Sequence, residues 1–455
     1  MSMDLTFLGT ASCYPMPNRG VSCIVFKSDR QCWMFDCGEG SQTQVMKSSI
    51  KAAKINKIFI THLHGDHLFG LQGFMCTLSL NLAEQSSQQT SQQTSQQTSQ
   101  QASQQTSQQA SQQTSQQTSQ KTSQQTSQKT SQQMSQQMSQ KTSQKTSQQT
   151  SQQTSQQTSQ QTSQKTSQQT SQQTSQQTSQ TPSVEIYGPV GLRRYLRACL
   201  ELSRSPISFS YVVHELEPVE EQLPGDWEDW HPEHTSCGPL HPGEGEGRTI
   251  RRDETGAWHL FEDSRFVVKA GAIYHRIPCF GFVIQEKTLP GKLDAAKLKE
   301  LGVPPGPLYS RIKQGETVTL DNGQVIDPKD VVGPSRPGRK VVILGDTHDP
   351  SPLTSLAQGA DVLVHEATLE NSMRSKAIEV GHSTPEMAAT FAKTIGAKTL
   401  ILTHFSQRYR PQGATLEKGE ESVCKLQEEA AAVFGPGDVI AAQDLQTVHI
   451  LQHNS

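Results

Sequence analysis

The sequence has no apolar run long enough to span a bilayer, and no basic-then-apolar leader at Met1-Ser2-Met3-Asp4-Leu5. The first absence removes a transmembrane helix and any membrane partner. The second argues against a secretory signal. No Cys-x-x-Cys pair occurs among the nine cysteines, and their odd number suggests no disulfide framework. Free thiols in a reducing compartment, cytoplasm or nucleus, fit this pattern. There is no strong excess of positive charge either. The formal net charge is -3, so any nucleic-acid binding must come from a local patch rather than from the field of the whole chain.

What is present divides unevenly. Residues 86–181 repeat Ser-Gln-Gln-Thr with few changes. A period of four matches neither helix nor strand and offers nothing apolar to bury. The expectation is a disordered insertion, cheap in stability because loop-closure entropy grows only logarithmically with length. It separates residues 1–85 from 182–455, two parts of one α/β domain. Within the second part, residues 224–256 read as a flexible loop rich in Gly, Pro and charge. Its His231, His234 and His241 are spaced too irregularly to suggest a metal cluster. Residues 289–337 read as a protruding arm, stiffened by Pro304-Pro305-Gly306-Pro307, that carries Lys292, Lys297, Lys299, Arg311 and Lys313 against fewer acids.

The chemistry concentrates where apolar runs end. Ile58-Phe59-Ile60 reads as a buried strand, and Thr61-His62-Leu63-His64-Gly65-Asp66-His67 follows it at once. Imidazole and carboxylate are the ligands zinc prefers. In extended chain, residues two apart point the same way, so His62 and His64 can grip one metal while Asp66 and His67 face a second. Cys32–Asp36 is another strand, running into Cys37-Gly38-Glu39-Gly40 and a helix, and Asp36 can orient a ligating histidine from behind. In the second half, His275 lies between strands at 266–270 and 280–284. Further apolar strands end in Asp346, in His365-Glu366 and in His404. Ligand-type residues at the carboxyl ends of buried strands mark a site on a sheet rim.

Seven such residues are too many for one closed structural zinc. They fit two ions with open positions, one held by His62, His64 and His275, the other by Asp66, His67 and His404, with Asp346 as the bridge. His382 near the rim is free to protonate a leaving oxygen, and Glu366 can hold its other nitrogen.

This pattern resembles the metallo-β-lactamase superfamily, which implies a four-layer αβ/βα sandwich. Four further features are similar to the short form of tRNase Z. They are Phe35-Asp36-Cys37-Gly38-Glu39-Gly40, His275-Arg276-Ile277-Pro278 with Phe280-Gly281-Phe282, the Pro304–Pro307 arm, and His365-Glu366-Ala367-Thr368 with His382-Ser383-Thr384. The resemblance implies a zinc endonuclease, two Zn2+ per chain, that cuts precursor tRNA 3′ of the discriminator base and leaves a 3′-hydroxyl. It also implies a homodimer whose arm clamps tRNA for the partner's active site, giving the five basic residues of the arm a phosphate-binding role, and it makes Asp66 a candidate general base. The sequence departs from the family in the repeat and in Ala11, where the family often has Gly. The same catalyst could instead open 2′,3′-cyclic phosphate ends in tRNA repair. A reading of another class is a non-catalytic RNA-binding scaffold, against which the complete ligand set argues.

Overall fold

The computed structural model describes residues 2–29, 31–82, 183–227, 239–435 and 438–452, with 106, 113–119 and 121–123 inside the repeat. The expected disorder of the insertion, and His231 and His234, fall largely or wholly outside these residues. The chain forms two units, Ala83–Thr181 and the remainder. In the first, the described residues 113–119 and 121–123 are helical and exposed. All that follows concerns the second unit.

Its strands form two large sheets. The first runs in the order Thr447–His449, Met3–Gly9, Cys23–Ser28, Cys32–Phe35, Lys57–Phe59, Ser183–Pro189, Ser210–Leu216, Glu244–Gly245. The second runs Val439–Ala441, Thr399–Thr403, Val362–Glu366, Lys340–Ile343, Cys279–Glu286, Phe266–Ile273, Trp258–Glu262. Each sheet begins antiparallel in chain order and then turns parallel: Cys32–Phe35, Lys57–Phe59, Ser183–Pro189 and Ser210–Leu216 in one, Lys340–Ile343, Val362–Glu366, Thr399–Thr403 and Val439–Ala441 in the other. Parallel strands joined by crossovers put their carboxyl ends on one edge.

Three apolar clusters define four layers. One lies between the sheets and joins Leu5, Phe26, Trp33, Phe35 and Phe59 to Phe266, Phe282, Val341, Val364 and Ile401. Its rings interlock, with Phe35 stacked on Phe59 at 4.7 Å and Trp33 edge-on to Phe266 at 5.3 Å; such pairs add about 0.5–1.5 kcal/mol each beyond area burial. A second cluster packs the outer face of the first sheet against Val45, the helical residues 71–82 and the helix Leu192–Leu202. The third packs the second sheet against the helices Pro385–Thr394 and Val423–Phe434. The architecture is thus the αβ/βα sandwich that the family resemblance implies.

Residues 289–337 stand apart, with a small core of their own: Leu298, Val303, Ile312, Val318, Ile326 and Val331. Helices Ala295–Glu300, Pro307–Lys313 and Pro328–Val331 and a two-stranded ribbon build it. Its two legs are bridged at Leu289–Arg336 and Leu293–Val332, so the segment leaves and rejoins the sandwich at one place. The expected flexible loop 224–256 needs correction in its described part. Glu244–Gly245 and Thr249–Ile250 pair with Ser210–Leu216. Strands two residues long are made by backbone hydrogen bonds and carry no side-chain periodicity to read. The strand Trp258–Glu262, at the edge of the second sheet, was also not expected.

Candidate metal centre

The strand carboxyl ends converge on one rim. Lys57–Phe59 delivers Thr61–His67, whose last residues enter the single helical turn Gly65–Leu68. Cys32–Phe35 delivers Asp36, Lys340–Ile343 delivers Asp346, Val362–Glu366 ends in Glu366 and Thr399–Thr403 delivers His404. Asp36 and His404 have φ of 57° and 60°, left-handed conformations that non-glycine residues hold only when their surroundings enforce them. Gly38 is needed for close approach. A Cβ there would stand 2.1 Å from the Asp66 carbonyl oxygen, so the turn after Asp36 packs directly beneath the histidine-rich turn.

All seven sequence-derived ligand residues meet here. Donor atoms of His62, His64, His275 and Asp346 lie within 4.8 Å of one another, and so do those of Asp66, His67, Asp346 and His404. Asp346 alone belongs to both sets. Its Oδ1 is 3.3 Å from His67 Nε2, and its Oδ2 is 3.3 Å from His404 Nε2 and 3.7 Å from His62 Nε2. His64 Nδ1 lies 3.0 Å from His62 Nε2 and 3.1 Å from His275 Nε2.

The far nitrogens decide whether these residues suit a cation. His275 Nδ1 faces the Gly381 carbonyl at 2.6 Å, and His67 Nδ1 faces Asp36 Oδ2 at 2.7 Å. Both partners only accept, so each Nδ1 is the donor and each Nε2 presents a lone pair. Thr368 Oγ1, 3.0 Å from His404 Nδ1, gives its own hydrogen to Glu366 or to the His404 carbonyl. Thr61 Oγ1, 3.0 Å from His62 Nδ1, gives its hydrogen to Asp36 Oδ2. The same tautomer follows for His404 and His62. Lone pairs and carboxylate oxygens packed this closely repel one another without cations between them, so the donor set fits two divalent metals sharing one carboxylate.

Protonation agrees with that use on one side of the cluster. Burial pushes His64 down to about 4 and His275 down to about 3, and it holds His62 well below the ordinary imidazole range. These three are neutral, as ligands must be. Burial opposes a charge on His67 as well, but Asp346, Asp36 and Asp66 outweigh it and raise its pKa.

Asp36 anchors the rim. Its Oδ1 accepts from the Thr61 amide at 2.7 Å, and its Oδ2 accepts from Thr61 Oγ1 and His67 Nδ1. Asp36→Asn would aim an N–H at one of these donors. The expected outcome is a metal affinity roughly 10- to 100-fold weaker, read by competition with a zinc chelator.

His382 sits beside the cluster with Nδ1 3.0 Å from Glu366 Oε1. Burial opposes its charge, but the Glu366 carboxylate prevails and pushes it up to about 9. Glu366 is itself fixed by the Thr347 amide at 2.8 Å and by Thr368. These groups open on a cavity of about 580 Å³ whose wall includes Cys13, Glu39, Phe69, Arg276, Thr368 and Gln407.

Three contributors were not found by sequence reasoning. Cys13 donates its backbone N–H to Asp66 Oδ2 at 2.6 Å, an interaction no side-chain pattern signals. Thr61 and Thr368 orient His62 and His404; one stands next to a ligand and the other two residues after a strand-end carboxylate. Lys292, Lys297, Lys299, Arg311 and Lys313 are all exposed on 289–337 and do not join the cluster. Arg311 is already paired with Glu316, and Lys297 Nζ caps the Asp330 carbonyl at 2.7 Å. His241 is half-buried and joins no metal-type group among the described residues.

Comparison with known proteins points the same way. A family model described as anti-Pycsar protein Apyc1 matches residues 3–177, and a beta-lactamase superfamily domain matches residues 327–405. Human zinc phosphodiesterase ELAC protein 1 is 40% identical over 453 residues, covering 99% of each chain. A ribonuclease Z of Bacillus velezensis is 31% identical over 435 residues, covering 95% of this chain and 94% of its own. The crystal structure of human tRNase Z, short form, matches with a TM-score of 0.53 and 32% identity over 99% of this chain and all of the other.

Proposed function

Since the chain belongs to the zinc phosphodiesterase and ribonuclease Z family, we propose that it is a tRNA 3′-processing endonuclease. It cuts precursor tRNA 3′ of the discriminator base and leaves a 3′-hydroxyl. The observation that carries this reading is the pair of four-residue ligand sets sharing Asp346, in a chain 40% identical over its length to a zinc phosphodiesterase. His62, His64 and His275 would hold one zinc, Asp66, His67 and His404 the other, and Asp346 both. Bound there, two zinc ions supply Lewis-acid activation of water and positive charge against the phosphoryl oxygens.

The side chains perform the rest. Burial opposes a charge on Asp66, but His67 and His404 keep it ionised and the Cys13 amide fixes its carboxylate, which accepts the proton of the attacking water. As the bond from phosphorus to the 3′-oxygen breaks, His382 Nε2–H protonates that oxygen, and Glu366 on Nδ1 stabilises the cationic ring. Residues 289–337 serve as the tRNA-binding arm of a homodimer, each arm holding tRNA for the partner's site, in cytoplasm or nucleus. No helix among the described residues is long and apolar enough to cross a membrane.

The arm gives a direct test of the tRNA part. Lys292, Lys299 and Lys313 are exposed and form no ion pair among the described residues. Changing all three to Ala is expected to weaken tRNA binding and to flatten the dependence of log Kd on log salt by roughly 2, at about 0.7–0.9 per phosphate contact. An unchanged slope would remove the arm from the tRNA interface.

A further inference from the structure

The metal-centre cavity is lined by the acids Glu39, Asp66 and Asp346, yet an RNA strand entering it is itself polyanionic. Metals held at the two ligand sets would offset the two aspartates. Beyond them, Arg276 is the only lysine or arginine among the described residues lining the cavity. It is exposed, and it forms no ion pair and no side-chain hydrogen bond among the described residues. An arginine on a wall this rich in carboxylate oxygens ordinarily finds one; this guanidinium is left open towards the cavity.

Its stem is held in place. Gly381, at φ 80°, immediately precedes His382, and a Cβ on it would come within 3.0 Å of Arg276 Cγ and 2.7 Å of His275 Nδ1. The missing side chain therefore makes room for the ligand ring and the arginine stem together. The Arg276 charge acts on Cys13, His64 and His382, all of which line the same cavity.

We propose that Arg276 grips one of the two phosphates that flank the scissile phosphodiester and so sets the register of the RNA strand over the metals. This rests on the reading of the substrate as RNA. Its role is phosphate binding: a guanidinium fork matches two phosphate oxygens, and such contacts position a strand without reading its bases. Arg276 takes no part in bond making.

The test pairs a protein change with a substrate change. Precursor tRNA is made with a neutral methylphosphonate at the linkage 5′ or 3′ of the cut, and wild type and Arg276→Ala are compared by kcat/KM, with metal content measured alongside. On the all-phosphate substrate the variant is expected to lose roughly 10- to 100-fold, the range for hydrogen bonds to a charged group. Neutralising one flanking linkage should cost wild type a similar factor and cost the variant almost nothing more. Arg276→Lys, which keeps the charge but not the fork, should fall between them. The proposal is overturned if the variant matches wild type, if the losses multiply at both linkages, or if the variant has lost metal. Wild type failing to cut the all-phosphate tRNA would instead remove the function proposed above.

Discussion

Asp346→Asn is expected to abolish trailer removal and to leave the chain with fewer than two zinc ions. The carboxylate is buried, and it alone belongs to both ligand sets. Its pKa is held well below the ordinary carboxylate range: burial opposes this, but His404 and His67 dominate. An amide is nearly the same size, so packing should survive while the shared negative charge is lost. Metal-ion catalysis contributes several kcal/mol of charge stabilisation, so the rate should fall on the order of 10³-fold or more. Zinc by atomic emission and single-turnover cleavage, on one preparation, check both halves. Two retained zinc ions with wild-type cleavage would show that Asp346 is not the bridge.

The second large effect belongs to His382. His382→Gln keeps a hydrogen-bonding side chain of similar reach but cannot deliver a proton. Its absence should lower kcat by roughly 10²- to 10⁴-fold, the range for general acid catalysis. Because His382 is read as an acid rather than a ligand, zinc content should stay at the wild-type level. The defect should also shrink on a substrate whose leaving group needs no proton, such as bis(p-nitrophenyl) phosphate. An equal loss on both substrates would make His382 a structural or ligating residue. Glu366→Gln should show the same substrate dependence in weaker form, since it acts through the His382 ring.

How far this centre could be read in the sequence depended on where each residue lies relative to its strand. The ligands of Thr61–His67 follow one another within a turn, so they are visible locally. Asp346 and His404 are far apart in sequence, but each stands one residue beyond an unbroken apolar run, Val341–Leu344 or Leu400–Leu402, that reads as a buried strand. Parallel strands then bring such ends to one edge. What the sequence hid is contact made through backbone or through position alone. The Cys13 amide on Asp66 is a backbone donor that no side-chain pattern marks, and the arginine stem beside Gly381 depends on a side chain that is missing. The short strands Glu244–Gly245 and Thr249–Ile250, each paired with Ser210–Leu216, are hidden for the same reason, since their backbone hydrogen bonds are indifferent to residue type. Trp258–Glu262 alternates buried and exposed over only its first three residues, too short a run to mark a strand directly after the Gly- and charge-rich stretch.

The most direct measurement gives purified full-length chain of known zinc content a precursor tRNA with a 3′ trailer and maps the ends of the products. One cut immediately after the discriminator base, leaving a 3′-hydroxyl, lost on chelation and restored by zinc, is the predicted result. A chain that holds two zinc ions yet leaves the precursor intact would contradict it, and activity on 2′,3′-cyclic phosphate ends alone would assign the same metal centre to repair.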